Sequence, residues 1–591
     1  MARDGLSVLR RRQDMTNACF SEGTVADAPF TLKIHRGDGM CLLAMNWREG
    51  PPPHDFVGFA IEYQEPGGSK FFALKNRLNF EGEAGGMSAQ RRPPSYSTLV
   101  APIQKFRWVH FPSNSELEGA YTYRVTPVFM TANGELYYGT AQLASLPLAR
   151  ETYPGHLNIA YTRGFIASQA FLDRYAKDGD IDTLLPPDAK SGLDFVPTHP
   201  DSEAAYKWMG FEAYAEMLDI LDAAIAASAA GQAPDVGIIA FDFNLPAIVD
   251  RVKRLATDKV RIIIDDSKDH SGDGAAEDAA EQVLTSLGYA VKRQHMKGLQ
   301  HNKIIWASGP TVQRAICGST NMSWRGLFVQ SNNLVALHGD APVAIFRTAF
   351  EQYWAAPGTF SKSASAGWID LGLAGINAKI SFSPHSAANS QLAGIGADIA
   401  AAHSSIFYSL AFLYQTPGVI VDALESKTAE ADVFVAGISD KKTGIEVVAT
   451  SSNLPPTYVE ALGADAPAPF SEEISGLSAR GAGTRMHHKF IVVDFNTDDA
   501  CVYTGSYNMS KAADGSNGEN LLAIHDRRVA TSYVIEAVAM IDHYQFRVAQ
   551  KVSKQAKKTL ALKRPPQAGG EAWFAEDWNQ PHKIRDRLLF A

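Results

Sequence analysis

Two short segments, His301-Asn302-Lys303 and His487-His488-Lys489, each place an imidazole and an ammonium two residues apart at the start of an apolar run. Side chains at i and i+2 of an extended strand share one face. Each segment is therefore expected to present its histidine and lysine together. Gly-Ser-Thr-Asn follows at 318–321 and Gly-Ser-Tyr-Asn at 505–508. These are assigned to the next strand of each region, with Ser319 and Asn321, and Ser506 and Asn508, again two apart. The glycine ahead of each permits close backbone approach at the strand end. Two His, two Lys and two Asn brought to one place suit attack on a phosphodiester. The ammonium and amide groups hold the nonbridging oxygens and stabilise the charge that develops on them. One neutral imidazole attacks phosphorus while the other, protonated, donates to the leaving oxygen. Histidine supplies both forms near neutrality because its ordinary pKa is about 6.5. Nothing in this set calls for a metal or an organic cofactor.

The elements that must position these groups recur. His-Asn-Lys-Ile-Ile-Trp-Ala-Ser, Cys-Gly-Ser-Thr-Asn-Met-Ser and Ser-Asn-Asn-Leu-Val-Ala-Leu-His appear in that order from His301 to His338. A matching series runs from His487 to His525, with Gly318 and Gly505, Asn333 and Asn520, and His338 and His525 offset by 187 positions. A repeat this long is a duplicated domain rather than a solenoid unit. Helical apolar spacing over Glu212–Ala230 followed by VGIIAF, VRIIID and AVKRQ indicates alternating helices and buried strands, and SIFYSLAF, DVFVAGIS and KFIVV repeat that order. The expected architecture is α/β, two similar halves over 205–360 and 378–550 related by a pseudo-twofold axis. Ahead of them, residues 28–150 carry short alternating segments (Phe30–His35, Val57–Tyr63, Phe71–Lys75, Phe106–Phe111, Tyr121–Met130 and Leu136–Gln142) broken by Gly, Pro and Asn clusters, an all-β sandwich pattern. Residues 1–27 form a flexible tail. Residues 151–204 are a connector with a short helix over Phe165–Lys177, and 551–591 are a basic helix (Lys551–Lys563) with an aromatic-rich tail whose Trp573, Phe574 and Trp578 are expected to pack on a domain surface.

His-x-Lys-x4-Asp followed by Gly-Ser-x-Asn, present twice, resembles the phospholipase D superfamily over about 205–550. The second copy fits more fully, since Asp494 completes its motif, and GSYNMSKAADGSNGEN is similar to the small bacterial endonucleases of that superfamily. The resemblance implies a covalent phosphohistidine intermediate, with His301 as nucleophile, His487 as general acid, and Glu519 orienting a catalytic histidine. The first copy departs at two positions: Ser308 replaces the motif Asp, and Asn332 aligns with Glu519. Position 308 falls on the opposite strand face from His301, so that loss is mild and Asp494 is expected to be structural. Asn332 puts one histidine's carboxylate partner in question. FRWVHF followed by YTYRVTPVF resembles a fibronectin type III or immunoglobulin-like module, a type that binds or spaces, so a protein or carbohydrate partner is expected for it.

The chain has 591 residues, 46% hydrophobic and 20% charged, with a net charge of −9, which argues against a protein whose main task is coating nucleic acid but leaves room for a nuclease with a local basic cleft. Cys19, Cys41, Cys317 and Cys501 are far apart without a CxxC pair, which argues against a disulfide framework or zinc knuckle and for a reducing, cytoplasmic setting. Neither a secretory signal nor a spanning apolar stretch is read, and a monomer is expected, with peripheral membrane contact through the basic and aromatic closing segment as a lesser reading. The acidic loop Asp265–Gly274 lacks the order of a calcium loop and is taken as a solvated turn. His338 and His525 lie beyond the site strands and are taken as structural, and Cys317 as a small buried hydrophobe. Three functions remain. A lipid phosphodiesterase, hydrolysing or transferring, is placed slightly ahead of a metal-independent nuclease, and a non-catalytic binding protein comes last.

Overall fold

The computed structural model describes residues 19–81, 95–148, 151–163, 171, 174–175, 179–188, 190–268, 270–272, 275–413, 416–439, 457–458, 486–558, 560–567 and 569–591. Residues 1–18 of the expected tail, with Arg10–Arg12, and most of the helix expected over 165–177 lie outside them.

Strands such as Ile304–Ser308, Val260–Ile264 and Lys489–Val493 are apolar without alternation, because helices cover both faces of their sheets. The first sheet runs, edge to edge, Leu157–Tyr161, Asn333–His338, Gln313–Gly318, Ile304–Ser308, Asp235–Ala240, Val260–Ile264 and Ala290–Arg293. The second has the same plan: Asn377–Ser383, Glu519–His525, Cys501–Gly505, Lys489–Val493, Ser405–Leu410 and Phe434–Ser439, with the short strands Ile369–Asp370 and Thr457–Tyr458 at its edges. In both, the pairs farthest from the chemistry-bearing strands are parallel and the others antiparallel. The two-half α/β architecture is therefore as expected.

One boundary moves. Leu157–Tyr161, inside the stretch read as a connector, pairs with Asn333–His338 just as Asn377–Ser383 pairs with Glu519–His525. Its five residues are all buried and so lack the alternation that marks a strand in sequence. The terminal basic helix also differs: the helix that starts at Arg527 stops at Gln555, and Lys557 adopts a positive φ of 53°.

Layers join through a shared core. Helices Ser202–Ala229, Asp340–Ala355 and Arg527–Gln555 pack on the sheets, and one apolar cluster runs from Leu157 through Ile304 and Phe350 to Phe490, Tyr533 and Tyr544. The N-terminal region forms two facing antiparallel sheets, including the strands Cys41–Trp47 and Gln142–Pro147 that alternation alone did not reveal. Its core of Phe30, Phe56, Phe59, Phe106, Tyr121 and Tyr123 receives Phe574 from the end of the chain. Trp573 donates to the Phe56 carbonyl at 3.0 Å and stacks on Phe106, the packing expected of the closing segment. The sandwich is clamped to the second half by ion pairs, the buried Arg528 with Asp38 at 2.6 Å and the part-buried Arg107 with Asp542 at 2.6 Å. Such pairs hold mainly because breaking one leaves an uncompensated buried charge. Among the described residues no helix is long and apolar enough to cross a membrane, and all four cysteines are free.

Candidate active site

The two halves meet by exchanging short backbone contacts. Gln300 forms a parallel bridge with Gly518, and Ser331 forms one with Met486. Gly518 donates its N–H to the Leu299 carbonyl at 2.8 Å, and His487 donates to the Ser331 carbonyl at 2.9 Å. Each bridge lies one residue ahead of a site residue on both strands. The crossing therefore sets His301 beside Glu519, and His487 beside Asn332.

His301 Nδ1 lies 2.7 Å from Glu519 Oε2, and His487 Nδ1 lies 2.8 Å from Asn332 Oδ1. Each histidine is thus held by the opposite half. The ring centroids are 6.5 Å apart with planes at 68°. Asn332 donates through Nδ2 to the Gly326 carbonyl at 2.8 Å, which turns its Oδ1 toward His487. An acceptor on Nδ1 requires the proton there, and this leaves Nε2 of both rings free to face a ligand.

Ser506 and Ser319 act one step back. Ser506 Oγ donates to Glu519 Oε2 at 2.6 Å, and Ser319 Oγ donates to Asn332 Oδ1 at 2.8 Å. Both lie just past a strand end rather than within the strand, because the strands stop at Gly318 and Gly505. These glycines have φ near +137° and +138°, and a Cβ would sit 2.5 Å from the Asn333 carbonyl oxygen and 2.1 Å from that of Asn520. Only glycine lets the chain approach so closely. Asn321 and Asn508 follow in the same turns, and their buried Oδ1 atoms accept no hydrogen bond among the described residues.

Lys303 and Lys489 are buried, and each donates from Nζ to the carbonyl of its own histidine. Among the described residues, the other two N–H groups of each make no hydrogen bond. Burial lowers the Lys303 pKa to about 8, partly offset by Glu519 and Asp242. Burial also lowers Lys489 well below its ordinary value, and Lys303 adds to the effect. His301 is lowered by burial and by Lys303, against the pull of Glu519. His487 is lowered further, by burial and then by Lys489, Lys303 and His301, with no carboxylate to oppose them. Burial opposes ionisation of Glu519, but His301, Lys303 and the Ser506 hydroxyl outweigh it and hold the carboxyl below its usual range. Burial and mutual repulsion thus push these basic groups toward their neutral forms, and an anion bound among them would favour their charged forms.

Asp494 does not join it. At φ +50°, its carboxylate accepts backbone N–H groups of His403, Ser404 and Ser405 at the far end of the Lys489–Val493 strand. Other contributors escaped sequence reasoning. Phe241 packs under His301 with centroids 4.6 Å apart, and Phe412 lies 6.1 Å from His487. Lys303 Nζ stands 4.5 Å over the Phe241 ring, and Lys489 Nζ 5.5 Å over Phe412. Their shared signal is an Ala-Phe pair at the ends of the strands Asp235–Ala240 and Ser405–Leu410. Asn517 Nδ2 donates to Glu519 Oε1 at 3.0 Å, and Glu519 N–H donates to Ser383 Oγ at 3.1 Å. The start of the Asp265–Gly274 loop is not a solvated turn. Asp265 is buried and accepts from the Gln300 N–H at 2.6 Å, next to His301, and it also pairs with His270.

The family model described as "Cardiolipin synthase, PLD-like domain" matches residues 226–354 and 395–540. Among solved structures, phosphatidylserine synthase of Haemophilus influenzae Rd KW20 is 10% identical, with 59% of this chain and 92% of that one covered at a TM-score of 0.39. Nuc of Salmonella typhimurium, a phospholipase D family member, is 23% identical over 30% of this chain and 95% of its own, at 0.17. Polyphosphate kinase of Porphyromonas gingivalis is 9% identical over 56% of this chain, at 0.39, and this chain spans 45% of its length. Likenesses this low say nothing about substrate. No curated protein matches the chain. The two matched regions carry the two His-x-Lys and Gly-Ser-x-Asn series that cross at one site, and these regions belong to the phospholipase D superfamily.

Proposed function

We propose that the protein cleaves or transfers phosphodiesters of phospholipids through a phosphohistidine on His301. The observation that carries this reading is the crossed pair of hydrogen bonds, His301 to Glu519 and His487 to Asn332, which engages Nδ1 of both rings while their centroids stand 6.5 Å apart. His301 is the nucleophile because Glu519 stabilises the positive charge its ring acquires when Nε2 bonds to phosphorus. As that bond forms, the P–O bond to the leaving alcohol breaks, and His487 Nε2 gives its proton to the departing oxygen. Water, or an acceptor alcohol, then gives its proton to His487 and attacks phosphorus, which releases His301. Lys303, Lys489, Asn321 and Asn508 hold the nonbridging oxygens throughout. His487 is neutral in the free site, and the phosphate anion supplies the negative charge that favours its protonated form.

A net charge of −9 and the cardiolipin-synthase description of the matching family favour a lipid over nucleic acid. The test has two parts. With a nitrophenyl phosphodiester, His487→Ala should form the adduct and stall, and His301→Ala should form none. An adduct on His487 in His301→Ala would reverse the roles. Head-group release from mixed phospholipid vesicles, without cleavage of a single-stranded oligonucleotide, supports the lipid reading. The opposite result makes the protein a nuclease working by the same chemistry.

A further inference from the structure

Behind the catalytic histidines stands a second cluster of ionisable groups that the reaction does not use. Asp242 follows the strand Asp235–Ala240, His270 belongs to the loop after Val260–Ile264, and Glu277 opens the helix Ala276–Ser286. Three separate elements thus deliver one imidazole and two carboxylates whose ligand atoms all lie within 4.8 Å of one another. We propose that Asp242, His270 and Glu277 hold a divalent transition-metal ion of the Zn2+ type, which braces the approach to His301 and takes no part in phosphoryl transfer.

Two independent features favour an ion here over a simple ion pair. The first is Glu277. It is 4% exposed, the nearest basic side chain is His270, within 4.8 Å but already paired with Asp242 and Asp265, and one hydrogen bond from another residue reaches it, from Phe243 N–H at 3.2 Å. A buried carboxylate so thinly compensated is costly unless it takes up a proton or something of opposite charge sits beside it. The second is the orientation of His270. Its Nδ1 is 2.8 Å from Asp265 Oδ2, outside the three-residue set, so that Nε2 is the nitrogen aimed at Asp242, 3.1 Å away. A carboxylate behind a histidine with the far nitrogen presented to a ligand is the usual support of a metal-binding imidazole. The mixed nitrogen and oxygen donors suit Zn2+ better than the all-oxygen preference of Mg2+ or Ca2+, and three protein ligands leave a fourth position for water.

The consequence for the site is mechanical. The other Asp265 oxygen accepts the Gln300 N–H at 2.6 Å, and the Phe241 ring is packed between His270 and His301, with centroids 4.2 Å and 4.6 Å away. An ion at this place would tie three elements to the segment carrying His301 and Lys303.

The experiment uses the full chain, stripped with EDTA, dialysed against Zn2+ and freed of excess ion. Elemental analysis should find one Zn2+ per chain, and the bound ion should raise the thermal midpoint. Glu277→Gln, nearly isosteric and in a first helical turn, should lose both effects, as should His270→Asn. His487→Asn should keep both, because the catalytic pair is a separate place. Failure of the wild type to retain Zn2+ would overturn the proposal and leave His270 as an imidazolium paired with Asp242 and Asp265. Retention by Glu277→Gln, or loss in His487→Asn alone, would overturn it equally by putting the ion elsewhere. Should His270→Asn fail to fold, Glu277→Gln decides the matter.

Discussion

Glu519→Gln is the perturbation that isolates the asymmetry of the site. The carboxylate has no exposure, and all three of its side-chain partners act as donors: His301 and Ser506 to Oε2, and Asn517 to Oε1. A glutamine keeps the volume but must turn an NH2 group toward one of these donors. The negative charge beside His301 disappears, and one buried hydrogen bond goes with it. A hydrogen bond to a charged group is worth about 1.5–3 kcal/mol. If that stabilisation is felt mainly as positive charge grows on His301, kcat should fall roughly 10- to 150-fold. The pH profile supplies a second readout. His301 must be neutral to attack, and burial and Lys303 already hold its pKa below 6.5 while Glu519 pulls it up. Removing Glu519 lowers it further, so the acid limb of the rate profile should move to lower pH and the defect should shrink as pH falls. The assay is hydrolysis of a nitrophenyl phosphodiester between pH 4 and 9, roughly the span in which histidine titrates in proteins, with the thermal midpoint as a check on folding. A variant with more than half the wild-type kcat, or an acid limb that stays in place, would refute the assignment of Glu519 to His301 chemistry.

Asn332→Asp should do the reverse at the other histidine. A carboxylate facing His487 Nδ1 raises its pKa and moves the basic limb upward, while an Asp oxygen meeting the Gly326 carbonyl should cost about 1–3 kcal/mol in a denaturation curve. Turnover of the activated diester at 25 °C should survive EDTA, because Lys303 and Lys489 neutralise the phosphate; loss restored by Mg2+ would assign the chemistry to a metal. Gly505→Ala forces a Cβ to within 2.1 Å of the Asn520 carbonyl oxygen at φ +138°. Backbone strain of about 1–3 kcal/mol and displacement of Ser506 from Glu519 should lower both the thermal midpoint and kcat.

The duplicated motifs were legible because they are local. His-x-Lys and Gly-Ser-x-Asn announce their chemistry by residue type, and their repetition shows that two halves serve one function. The glycines at 318 and 505 were legible for the same reason, since close approach at a strand end leaves few other choices. Burial on both faces erased other signals. Leu157–Tyr161 reads as an apolar stretch, and only its register with Asn333–His338 makes it a strand of the first half. Asp265 looked like part of a solvated turn because charge suggests exposure, yet it is buried and holds the Gln300 N–H.

By itself the sequence determined the fold class, the duplication and the six side chains suited to a phosphodiester. Only the tertiary structure decided which residue supports which histidine. Asn332 and Glu519 occupy equivalent positions in their own halves, so the sequence could show that one carboxylate was missing but not which histidine lacked it. The bridges Gln300–Gly518 and Ser331–Met486 answer this by crossing the halves, so that each support reaches the histidine of the other. Partners 218 and 155 residues apart cannot be matched by local spacing, because their contact exists only where two separately folded sheets meet.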